Sequence, residues 1–211
     1  IIQSITSMLG LSVDAEMINA AILSDGGEIV SSDQIPTPQD SYRDCLLAIN
    51  TLVDRMSGKL NASHDTATGI GLGVAGILQE DRLQNTPIGA FNDKPIKQDL
   101  QAALGCSIAV HGYGECFSLF EARHGAGIGV KSLFGMHVDA NCTGGLILDG
   151  RPLAGANSIA GNWAHLPLPA PVPHELDGRD CWCGRVGCME TFVSGRALDQ
   201  GYFQMTGTPT I

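Results

Sequence analysis

With 211 residues and 44% hydrophobic content, the chain is long enough to bury a core in one domain or two small ones. Twelve basic residues stand against 22 acidic ones, a net charge of −10, which speaks against a nucleic-acid surface. No apolar run reaches membrane-spanning length, and Ile1–Leu9 lacks the basic start of an export signal, so a cytoplasmic protein without a membrane partner is expected.

In chain order, the pattern predicts strands over Leu9–Val13 and Ile18–Leu23, then a turn at Asp25-Gly26-Gly27 into a third strand at Glu28–Val30. Thr37 as N-cap, Pro38 at the first helical position and Asp40 in the first turn predict a helix start. Tyr42, Cys45, Leu46, Ile49, Leu52, Val53 and Met56 continue that helix at helical spacing, and Gly58 is expected to close it. Gly69–Val74 reads as a buried strand with a turn at Gly76. Pro95–Leu104 reads as a helix ended by Gly105, and Cys106–Val110 as the next strand. A loop at His111–Gly114 should lead into a helix over Glu115–His124. Leu133–Val138 and Gly145–Leu148 read as paired strands with a turn at Asp149-Gly150, and a last helix begins near Glu190. Strands first, then alternating helices and strands, give an α/β layered class. No internal repeat, linker or low-complexity tract is visible.

The densest chemistry lies in Cys181-Trp-Cys-Gly-Arg-Val-Gly-Cys-Met-Glu190. Three thiols are spaced Cys-x-Cys-x4-Cys, and Gly184 and Gly187 permit the turns that bring thiolates around one ion. Sulfur and imidazole ligands suit tetrahedral zinc, and His165, in Gly161-Asn-Trp-Ala-His165, supplies a fourth candidate. A redox pair or a disulfide is the alternative. The four remaining cysteines, Cys45, Cys106, Cys116 and Cys142, are scattered through apolar stretches, as in a reducing compartment.

The cluster Cys-x-Cys-Gly-x-x-Gly-Cys-x-Glu, preceded by Ala-Gly-x-x-x-His, resembles the ROK family of sugar kinases and sugar-responsive repressors. Leu146–Gly161 resembles the family's hairpin and sugar-facing loop, and Thr191–Leu198 resembles its helix after the metal site. The nearest flavour is a fructokinase, glucokinase or N-acetylglucosamine kinase. The resemblance implies an actin-like ATPase fold of the hexokinase type, with two lobes and a zinc-binding insertion. The lobes would be residues 1–110 and an incomplete C-terminal lobe, 111–211, carrying the zinc, because family members continue well beyond the zinc helix. It further implies a structural Zn²⁺ held by His165, Cys181, Cys183 and Cys188, with His165, Glu190 and Asn162 facing a hexose. A homodimer is the common assembly among similar proteins. ATP and Mg²⁺ enter only if the chain is a working kinase.

Against that pattern the phosphotransfer positions depart. The family's Asp-x-Gly-Gly-Thr turn is Ser12-Val13-Asp14-Ala15-Glu16, where Asp14 and Glu16 put negative charge and Ala15 a Cβ where phosphates would approach. The second turn is Asp139-Ala-Asn141-Cys-Thr-Gly144-Gly145, keeping two glycines. The base position, an aspartate in the family, is Tyr113, flanked by His111 and Glu115. A hydroxyl with an ordinary pKa of about 10 is a poor base near neutrality, and losing a general base lowers rates by about 10²–10⁴-fold. Asn162 replaces a glutamate, while Trp163 and Ala164 add bulk. The expected function is a ROK homologue with a structural zinc site and lost or severely impaired ATP-dependent hexose phosphorylation. The alternatives are an active hexose kinase and a sugar-responsive regulator, the latter needing a DNA-binding segment ahead of Leu9.

Overall fold

The computed structural model describes residues 8–24, 26–60, 69–175 and 178–209. The chain divides into two compact units, Ile1–Tyr113 and Gly114–Ile211.

In the first unit, β1 (Met8–Val13), β2 (Met17–Leu23) and β3 (Ile29–Pro36) form an antiparallel meander. Helix α1 (Tyr42–Lys59) then returns the chain to β4 (Ile70–Val74), which lies parallel to β1. A short hairpin, β5 (Ile77–Gln79) with β6 (Arg82–Gln84), precedes α2 (Ile96–Leu104) and β7 (Ile108–Gly112). The sheet order is β3-β2-β1-β4-β7. Strand alternation sends Leu9, Leu11, Val13, Ile18, Ala20 and Ile22 to one face. There they meet Cys45, Ile49, Leu52 and Met56 of α1, together with Ile96 and Leu100 of α2, in one core. Burying apolar side chains of this size stabilises by roughly 1.5–3 kcal/mol each.

Four local expectations change. Strand β3 runs past Val30 to Pro36, because its pairing with β2 continues to the Met17–Pro36 pair. Ser41, not Thr37, caps α1, accepting a hydrogen bond from the Asp44 N–H at 3.2 Å. Thr37 is taken up elsewhere: its hydroxyl donates to the Asp14 carbonyl and its N–H to the Glu16 carbonyl, both at 2.9 Å. The helix passes Gly58 to Lys59, whose ammonium lies 3.4 Å from Asp33 on β3. Strand β7 runs on to Gly112 because its parallel register with β4 continues to the Val74–Gly112 pair, so α3 (Tyr113–His124) starts two residues before Glu115. The Gly105 stop holds, with that residue in the left-handed region at φ 65°. Of the turn expected at Asp25-Gly26-Gly27, Asp25 lies outside the described residues.

After α3, the second unit forms another antiparallel meander, β8 (Ser132–Val138), β9 (Cys142–Leu148) and β10 (Arg151–Pro152), in the order β10-β9-β8. Strand β9 starts at Cys142 rather than Gly145 because Cys142 pairs with Val138 across the hairpin. Helix α3 packs on this pair through small residues: Ser118 donates to the carbonyls of Gly114 and Gly145, at 2.7 and 3.1 Å. A Cβ at Gly114 would collide with the Gly144 carbonyl, and one at Gly145 would meet the Gly114 carbonyl at 2.5 Å. Short α4 (Glu190–Val193) and α5 (Gly195–Thr206), capped by Ser194, complete the described chain. Among the described residues no helix is long and apolar enough to cross a membrane.

Candidate metal centre

Between β10 and α4 the described chain contains only one 3₁₀ turn, Pro173–Glu175, so ligand-bearing loops do most of the folding here. Residues 181–187 close a tight knuckle in which the Cys181 N–H donates to the Arg185 carbonyl at 2.8 Å and the Gly184 N–H to the Cys181 carbonyl at 2.9 Å. Gly184 and Gly187 sit at φ 84° and 74°, which side chains with a Cβ rarely adopt. A second set of bonds lays the His165 segment beside the end of the knuckle: the Met189 N–H donates to the Leu166 carbonyl and the Glu190 N–H to the Ala164 carbonyl, both at 2.9 Å.

These two backbone devices bring His165, Cys181, Cys183 and Cys188 together, with ligand atoms all within 4.8 Å of one another. Cys183 Sγ and Cys188 Sγ are 3.7 Å apart, and Cys181 Sγ is 3.5 Å from His165 Nδ1. An ion with bonds of about 2.3 Å to sulfur and 2.0–2.1 Å to nitrogen gives tetrahedral edges of about 3.8 Å and 3.6 Å. The donor set and spacing therefore fit zinc. No disulfide is formed: all seven cysteines are unbridged, and 3.7 Å is well beyond the covalent S–S distance of about 2.05 Å.

The four groups differ in how their surroundings shift them. Burial raises the Cys181 thiol, and burial with the neighbouring thiols pushes Cys188 up to about 12. For Cys183 burial also acts upward, but hydrogen bonds from the Arg185 backbone and the other thiols, with the Arg185 charge, outweigh it and lower the thiol. Burial, then Arg185, lowers His165, keeping its imidazole neutral and able to bind metal. Cys181 and Cys188 must lose their protons to bind zinc, so loading at neutral pH should release at least two. Calorimetry in buffers of different ionisation enthalpy would count them. Because protonated thiols compete with metal below their pKa, affinity should fall at least about a hundredfold for each unit of pH decrease. A pH-independent affinity would argue against thiolate ligation.

Beside the cluster lies a polar group that the cage does not consume. Glu190, 5% exposed, brings Oε2 to 3.6 Å from His165 Nδ1. Burial raises its carboxyl, opposed by hydrogen bonds from the Trp182 indole and the Cys142 backbone. Asn162, three residues before His165, holds a buried Oδ1 without a hydrogen-bond partner among the described residues. Trp182 is the residue that sequence reasoning missed. Its Nε1–H donates to Glu190 Oε2 at 3.1 Å, and its ring stands edge-on to His165 with centroids 4.9 Å apart. A tryptophan between two ligand cysteines was the available signal.

The phosphate-turn positions are also placed. Asp14–Glu16 forms the β1–β2 turn, where Asp14 Oδ1 accepts the N–H groups of Glu16 and Met17 at 2.7 and 2.8 Å. Two amides at the turn are thus already bound to an internal carboxylate. In the second unit only Asp139–Asn141 forms the β8–β9 turn. Gly144 and Gly145 lie inside β9, paired with Met136 and Gly135. They serve packing against α3 and the Gly161 loop. Tyr113 is the first residue of α3.

The profile of the ROK family matches residues 8–209. An N-acetyl-D-glucosamine kinase of Erwinia tasmaniensis is 29% identical over 196 residues, covering 90% of this chain and 63% of that one. The ROK hexokinase of Thermus thermophilus superimposes with a TM-score of 0.76 at 28% identity, covering 97% of this chain and 65% of that one. A ROK family glucokinase from Streptomyces griseus, solved with glucose and AMPPNP, gives a TM-score of 0.80 at 25% identity, covering 95% and 62%. The chain thus spans just under two thirds of the length of these relatives. Its mixed-sheet α/β architecture is the actin-like fold of the ROK hexokinases, and with a family match over almost its whole length, the chain belongs to the ROK family.

Proposed function

We propose that this chain is a zinc-stabilised ROK protein that recognises a hexose but transfers no phosphoryl group to it. The observation that carries the second half is Asp14. Phosphate turns work by aiming free backbone N–H groups at an anion. Here the Glu16 and Met17 amides are engaged by the turn's own carboxylate, which adds charge of the wrong sign. Two like charges about 4 Å apart repel by on the order of 4 kcal/mol at the effective dielectric of a protein surface. At Tyr113 the family's base carboxylate is replaced by a phenol, so the sugar hydroxyl has no carboxylate at that position to take its proton.

Support for hexose recognition comes from the polar groups in and beside the cage. Glu190, His165 and Asn162 offer a buried carboxylate, an imidazole and an unsatisfied amide oxygen, the donors and acceptors that sugar hydroxyls pair with. The zinc, when bound, supplies structural cross-linking of the His165 and Cys181–Cys188 segments. N-acetylglucosamine is the first sugar to try, since several of the matched relatives carry that kinase name.

With zinc-loaded protein, ATP, Mg²⁺ and a panel of hexoses, no sugar-dependent ADP release is expected, while calorimetry should register sugar binding without ATP binding. Turnover at an ordinary kinase rate of about 1–100 s⁻¹ would sink the proposal. Tyr113→Asp alone should restore little, because the Asp14 turn stays closed. Robust rescue by that one change would show the turns to be competent.

A further inference from the structure

Trp182 is held in an unusual way for a half-exposed aromatic residue. Its backbone lies between Cys181 and Cys183, and its indole N–H donates to the carboxylate of Glu190. The contact answers a physical need. A carboxylate only 5% exposed requires donors, and the structure gives Glu190 the indole N–H and the Cys142 backbone. The same ring stands edge-on to His165, so one side chain covers both polar groups on this side of the cluster. Trp182 itself remains 46% exposed, leaving it room to turn about its side-chain bonds.

We propose that Trp182 is a placeholder for a ligand hydroxyl: its indole N–H satisfies Glu190 while the site is empty and is displaced when a sugar hydroxyl takes over that bond. This rests on the reading that Glu190 and His165 face a hexose. The consequence is competition. A sugar must break the bond from Trp182 to Glu190 before making its own, so the indole sets affinity downward and discriminates against ligands lacking a hydroxyl able to replace it. Trp163, the other tryptophan, is not part of the exchange. It is buried, and its Nε1–H donates to the Thr143 carbonyl at 2.7 Å.

The test compares zinc-loaded wild type with Trp182→Phe, which keeps an aromatic ring but removes the donor. By calorimetry, Trp182→Phe is expected to bind N-acetylglucosamine or glucose about tenfold more tightly, the scale of one hydrogen bond to a charged group. In parallel, the wild-type ¹H–¹⁵N indole resonances are followed during the sugar titration. The Trp182 signal should move to a new position at saturation while that of Trp163 stays. Equal or weaker binding by Trp182→Phe, or an unmoved Trp182 indole at saturation, overturns the placeholder and leaves the sugar site standing. Absence of binding to either protein removes the sugar reading, and the placeholder with it. Should the variant misfold, the wild-type indole titration decides alone.

Discussion

Stripping zinc, or replacing Cys188 with serine, is expected to dissolve the order of the His165 segment and the Cys181–Cys188 knuckle while β1, β2 and β4 keep their protection against amide exchange. The reason is the distribution of apolar burial. The first unit has a core running through β1, β2, β4, β7, α1 and α2. In the second unit the buried apolar cluster that touches the ligand region is Cys142, Trp163 and Ala164, with Met189 packed against it. Three residues offer on the order of 5 kcal/mol of burial, against roughly 1–2 kcal/mol of backbone entropy for every loop residue ordered. Structural zinc sites contribute about 10–16 kcal/mol of apparent binding energy in small domains, enough to close that gap. Hydrogen exchange with and without a chelator, read by mass spectrometry, should show the loss confined to peptides spanning His165 and the cysteine knuckle. Cys183→Ser should lower both zinc content and unfolding temperature. Unchanged protection in the metal-free protein would mean that the cage is an ornament of the fold rather than its support.

A marked loss of stability is also expected from Gly144→Ala. The added Cβ would lie 2.6 Å from the Gly161 carbonyl, 2.6 Å from the Trp163 ring and 2.7 Å from the Gly135 carbonyl. Two of those obstacles are backbone and cannot swing aside. Overpacking a core usually destabilises by 1–3 kcal/mol, and with backbone on both sides about 3 kcal/mol or more is expected here, as a drop in the denaturation midpoint. Gly201→Ala is the contrasting change. It sits inside α5 with nothing within 4 Å of the new methyl, so a gain of about 0.5–1 kcal/mol from the lost flexibility of the unfolded chain is expected. If both substitutions proved neutral, the close seam between α3, β9 and the Gly161 loop would be wrong.

What the residues announced in advance was local chemistry. The knuckle was legible because its ligands and glycines fall within eight positions, and α2 because Gly105 closes it by its own conformation. Long-range demands were not legible. Thr37 looks like a helix cap but is drawn to Asp14, 23 positions away, and only Ser41 is left to cap α1. The hairpin of β5 and β6 turns on Glu80 and Asp81, both at positive φ, where no glycine or asparagine flags it. The antiparallel meander found in each unit recurs in strand order but not in residue pattern, so it could not be found as a sequence repeat. At the site, Asp14 was readable as an unwelcome charge but not as the occupant of its own turn. The role of Trp182 is not legible in the motif, because its bond to Glu190 is set by the fold of the loop.

The 3.7 Å between Cys183 and Cys188 also gives metal loss a chemical direction. While zinc is bound, both sulfurs are committed to the ion. Once it leaves, the thiol lowered toward its reactive thiolate, Cys183, stands beside a protonated partner, Cys188, close enough to reach covalent distance with a small movement of the knuckle. Peroxide would take the pair to a disulfide, two thiols losing two protons and two electrons as the oxidant becomes water. A reversible loss of metal would then become a lasting one, and the history of the protein's exposure to oxidant, rather than the zinc concentration of the moment, would decide how much of it can be reloaded.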